Sequence, residues 1–91
     1  MAHEIQFPRN IDNLLASTDE HGLMVIAGWS MLIPRAAAIE YAKNYNSSPN
    51  QGFFEHNGKV ILSHGAGKLT LTEQEASAVI ELIKTAYGSL F

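Results

Sequence analysis

Asn57-Gly58 constrains this chain more than any other dipeptide, because it stands between two apolar runs, "FFEH" at 53–56 and "KVILS" at 59–63. A two-residue hairpin turn needs positive φ at both central positions, and Asn and Gly tolerate it best. The dipeptide therefore predicts an antiparallel hairpin. A two-residue turn pairs His56 with Lys59, Glu55 with Val60, Phe54 with Ile61 and Phe53 with Leu62.

The stretch "SHGAGKLTLT" at 63–72 extends the pattern. Leu69 and Leu71 alternate with Lys68 and Thr70, so a third short strand is expected. Shifting its register by one residue would move every side chain to the other face. Only a loop over 64–67 keeps the leucines with the hairpin's apolar side, pairing Ser63 with Lys68, Leu62 with Leu69 and Val60 with Leu71. Phe53, Val60, Leu62, Leu69 and Leu71 then share an inner face. Lys59, Ser63, Lys68, Thr70, Phe54, His56 and Ile61 lie outside. Thr72 and Glu75 follow as T-x-x-E, the capping-box pattern that starts a helix. The apolar stripe Ala76, Val79, Ile80, Ile83, Ala86 and Tyr87 carries that helix to about residue 87. Gly88 suggests a left-handed Schellman end with Leu90 over the last turn.

The N-terminal half is less constrained. Residues 4–7 alternate, with Ile5 and Phe7 on one side, and suggest a strand. Asn10 suits a helix cap, with Ile11, Leu14 and Leu15 on one helical face and Gly22 ending the segment at positive φ. Residues 23–29, "LMVIAGW", form an apolar run read as a buried strand, since Gly28 and Ser30 are poor helix interiors. Pro34 favours the first position of a helix that runs through "RAAAIEYAKNYN" to about Asn46.

Composition bounds the function classes. The chain has 91 residues, enough for one domain over 1–91 with a single modest core. Net charge is −3, with only six Lys and Arg and no basic run. Nucleic-acid binding rests on a Lys/Arg footprint, so none is expected. Zero cysteines exclude disulfides, thiolate catalysis and cysteine-ligated metal, and fit a cytoplasmic protein. The N-terminal stretch lacks the apolar segment of a signal peptide. The run 22–34 is too short to span a membrane and reads as core. Charged residues make up 16% of the chain, against about 25% in typical domains. Sparse charge with a 46% hydrophobic fraction points to apolar surface buried in an oligomer or against a protein partner.

No familiar catalytic motif is complete. A Walker loop needs G-x-x-x-x-G-K-[S/T]. Here Leu62 stands where its first glycine belongs, and Leu69 follows Lys68. The dinucleotide fingerprint G-x-G-x-x-G fails at Thr70. His3, His21, His56 and His64 show no tight ligand spacing, so no metal and no cofactor is expected. Ser63 and His64 are neighbours on a strand and point to opposite faces, which separates nucleophile from base. What remains is a loop, His64, Gly65 and Gly67 with Lys68 at its edge, that could contact an anionic small molecule, with Arg35 as a further cation. Trp29, Phe54, Ile61 and Tyr87 are the candidate interface residues, because aromatic and large apolar side chains anchor protein contacts.

The expected fold is two-layer α+β, with helices packed on one face of a mostly antiparallel sheet containing the 53–71 meander. The alternative is an α/β sandwich with both sheet faces covered. The expected function is non-enzymatic: a regulator or inhibitor acting by protein binding, as a self-associating homo-oligomer, in a bacterial or phage setting. The alternative is a small-molecule or nucleotide-binding domain holding an anion near Arg35, His64 and Lys68.

Overall fold

A computed structural model describes residues 3–9, 13–45 and 51–90. The chain is α+β. Its element order is β1 (His3–Phe7), β2 (Leu14–Thr18), β3 (Gly22–Ile26), β4 (Ser30–Pro34), α1 (Arg35–Lys43), β5 (Gly52–His56), β6 (Lys59–His64), β7 (Gly67–Leu71) and α2 (Glu73–Tyr87), followed by a 3-10 turn at Gly88–Leu90. The strands divide into two antiparallel meanders, β1-β2-β3-β4 and β5-β6-β7, rather than one sheet. α1 touches β3, β4 and β5, while α2 touches β1, β2, β6 and β7. Each helix thus meets both sheets, and the helices also pack on each other.

The second meander forms in the anticipated register, from His56 opposite Lys59 to Phe53 opposite Leu62, and from Ser63 opposite Lys68 to Val60 opposite Leu71. Asn57 and Gly58 both adopt positive φ, as the hairpin turn requires. Pairing continues to His64 opposite Gly67, so the second turn has only Gly65 and Ala66 at its tip. The inner residues Phe53, Val60, Leu62, Leu69 and Leu71 are all buried. Ser63, on the opposite parity, is buried as well, which its hydroxyl alone would not suggest.

α2 starts as the sequence dictates. Thr72 accepts a hydrogen bond from the Glu75 amide at 3.1 Å, and the Glu75 carboxylate accepts one from the Thr72 amide at 2.9 Å. Leu82 joins Ala76, Val79, Ile83 and Tyr87 in the core, widening the stripe. Its end differs from expectation. Gly88 stays right-handed at φ −55 and continues into the 3-10 turn, so no Schellman cap forms.

The N-terminal half departs further. β1 is a strand as anticipated, but Leu14–Thr18 is strand β2 and not helix. Asn10, Ile11 and Asp12, the proposed start of that helix, lie outside the described residues. The alternation Leu14, Ala16, Thr18, all buried, fits a strand with one face inward. The apolar run splits into β3, a turn and β4, which was not anticipated. Ile26 pairs with Ser30 around Ala27, Gly28 and Trp29, and Gly28 supplies the positive φ. Gly22 does not adopt positive φ. It is needed because a Cβ there would collide with the backbone carbonyl of Ile33 in the neighbouring strand. α1 begins at Arg35 with Pro34 just before it, and Asn44 caps it by donating to the Glu40 carbonyl at 3.0 Å, short of the anticipated end.

Two contacts place β7 across one end of the first sheet. A Cβ built on Gly67 would lie 3.3 Å from the Trp29 ring. Arg9, just past β1, donates to the Thr70 carbonyl at 3.1 Å. The register puts both Trp29 and Arg9 at the Phe7–Ile26 end of that sheet.

Candidate functional site

The first sheet has two chemically different faces. Inward rows hold Ala16, Val25 and Met31, and Leu23 with Ile33, all buried. The other parity forms two outward rows: Glu4, Ser17, Met24 and Leu32, and Gln6, Leu15, Ile26 and Ser30. At their centre Leu15, Met24 and Ile26 are half-buried, and Leu32 is 55% exposed. Four large aliphatic side chains on one open face form an apolar patch, with a single carboxylate, Glu4, in its rows. Leaving Leu32 in water forfeits much of the roughly 1.5–3 kcal/mol that burial of such a side chain is worth. Trp29, 45% exposed, stands at the turn beside Ser30. Phe54 and Ile61, direct cross-strand partners, lie half-buried on the outward parity of the second sheet. Tyr87 is buried, and its hydroxyl donates to the Asp19 carbonyl at 2.6 Å, so it ties α2 to the β2–β3 turn and leaves little surface for a partner.

The anticipated anion-binding residues fall into two groups. His64, Gly65, Gly67 and Lys68 lie together at the β6–β7 turn. The Tyr41 hydroxyl is hydrogen-bonded to His64 Nδ1 at 2.8 Å, and the rings meet edge to face with centroids 5.8 Å apart. The Tyr41 hydroxyl is pushed above its ordinary pKa by burial. Trp29 closes over Gly67 from the first sheet. Tyr41 and Trp29 thus fix the His64 ring and the turn, a pairing that sequence spacing does not reveal. Arg35 is elsewhere. The five residues of β4 stand between it and Trp29, six steps or roughly 20 Å along the strand. It lines a separate 320 Å³ cavity with Asp19 and Tyr87.

A groove of 470 Å³ lies between α1, α2 and β5. Its floor is Ala42, Ala76 and Ile80, and its rim carries Glu55, Glu73, Glu81 and Lys84. Tyr45 forms one wall; its ring stacks on Phe53 and its hydroxyl donates to Glu55 at 3.4 Å. Burial first, and then the nearby Glu55 and Glu73 carboxylates, raise the Tyr45 pKa.

Among the described residues no group of three or more His, Asp or Glu is placed to hold a metal ion. Nor is any helix among them long and apolar enough to cross a membrane. Comparison of the chain with protein-family models, curated proteins and solved structures found no match.

Proposed function

We propose that this chain is a small non-enzymatic interaction protein of the cytoplasm, a regulator or inhibitor that acts by binding protein and that self-associates through the open face of the β1–β4 sheet. One observation carries the reading: Leu32 is 55% exposed beside its half-buried cross-strand partner Met24, with Leu15 and Ile26 in the next row. A contiguous apolar face of this kind marks interaction surfaces. The occupant proposed is a second copy. A two-fold contact brings identical patches together, and this patch suits that because its aliphatic centre holds no charge, so the chain's net −3 does not set like charges against each other there. Light scattering over a concentration series tests the reading. A mass above one chain that falls on dilution supports it, and a strict monomer at millimolar concentration retires self-association through this face.

A further inference from the structure

The groove between the helices has a shape and charge that the open sheet face does not share. Along α2 it follows a single stripe, from Glu73 past Ala76 and Ile80 to Glu81 and Lys84. Glu73 and Glu81 are eight positions apart, about 12 Å at the helical rise. No single ion can bridge carboxylates so spaced, whereas a chain with two separated cations can. In an extended peptide, residues i, i+2 and i+4 point the same way, and i to i+4 spans about 13 Å. Cations at the two ends of such a segment would therefore reach Glu73 and Glu81, and the side chain between them would fall on Ala76 and Ile80. Tyr45 is 37% exposed, with its ring held against Phe53, and offers a wall on which a cation can also rest. Three carboxylates against the single ammonium of Lys84 give the rim a net negative charge.

We infer that this groove is a docking site for an extended basic segment of a partner protein, with the pattern cation-x-apolar-x-cation. The inference does not depend on the open sheet face, so either reading can fail alone.

The test is an NMR titration of the full chain with the peptide Gly-Lys-Ser-Leu-Ser-Lys-Gly. Expected are amide shifts confined to residues 73–84 and the neighbourhood of Tyr45. They should weaken with salt and be lost when both lysines are replaced by glutamate. Glu73→Lys and Glu81→Lys should each weaken binding at least tenfold, while Glu20→Lys, the same charge change on an exposed turn residue, should leave it within twofold. Circular dichroism on each variant shows that it is folded. Absence of shifts at millimolar peptide overturns the inference. So does equal weakening by Glu20→Lys, which would mean general attraction only. So does loss of self-association in Glu81→Lys, which would assign the groove to a second copy.

Discussion

Arg9 grips Glu75 with two hydrogen bonds, Nε to Oε2 at 3.0 Å and Nη2 to Oε1 at 2.7 Å, across 66 residues of sequence. The same guanidinium donates to the Thr70 carbonyl. Glu75 meanwhile accepts from the Thr72 amide as the third residue of α2. One carboxylate therefore starts a helix and holds the chain after β1 against β7. The Glu75 side chain is only 8% exposed, so its charge depends on these partners.

Replacing Arg9 by Met removes the guanidinium from Glu75 and leaves the carboxylate with its Thr72 hydrogen bonds. Loss of one partner from a mostly buried pair costs more than a surface pair is worth. Because Arg9 is itself 27% exposed, the expected loss is moderated to about 1–3 kcal/mol. Urea unfolding of Arg9→Met measures it.

The same contact makes stability sensitive to acid. Burial by itself would raise the Glu75 pKa, but the Arg9 and Thr72 hydrogen bonds prevail and hold it below its ordinary 4.5. The unfolded chain therefore binds this proton more tightly than the folded one. The contribution is complete above pH ~4.5 and disappears as pH falls through the lowered folded value. Stability of the native chain should decline with acid below pH ~4.5, and Glu75→Gln should flatten that slope at some cost at pH 7. Urea midpoints from pH 7 to 3 compare the two.

Gly22→Ala puts a methyl group against the Ile33 carbonyl, where two strands are backbone to backbone. Neither side is a flexible side-chain end, so the strands must part. The expected cost is about 1–3 kcal/mol, the range for overpacking a tight contact, read from the thermal midpoint.

Gly67→Ala acts on a softer neighbour. Its Cβ would come 3.3 Å from the Trp29 ring, which can shift because its side chain is partly in solvent. Trp29 is the single tryptophan, so its emission reports the change directly. A changed emission maximum with a stability loss under about 1 kcal/mol is expected; an unaltered spectrum would place the ring away from Gly67.

How much of this was legible in the sequence differs between the halves. The second meander and the start of α2 rest on local chemistry: a dipeptide that demands positive φ, an alternation that allows one register, and a cap with its glutamate three residues on. The first sheet has no such marks. Ile11, Leu14 and Leu15 fit helical spacing, while Leu14, Ala16 and Thr18 fit a strand equally well, and pairing with β1 and β3 decides for the strand. β4 was hidden because Pro34 reads as a helix start, although Met31 and Ile33 point inward and Leu32 outward. Lys68 and its glycines are conspicuous in the sequence, but what fixes His64 is Tyr41, 23 residues away. Arg9 has no sequence signal that links it to Glu75. The open apolar face was equally invisible, because Leu15, Met24, Ile26 and Leu32 come together only once the registers of β2 on β3 and of β3 on β4 are set.

The most direct measurement is sedimentation equilibrium on the native chain and on Leu32→Asp. Leu32 is exposed in the single chain, so the substitution should change its stability by no more than about 0.5 kcal/mol. The account predicts that the native chain associates reversibly and that Leu32→Asp, which sets a charge in the centre of the patch, sediments as a folded monomer at the same concentrations. An oligomer of undiminished affinity in Leu32→Asp, or a native chain that stays monomeric, would contradict it.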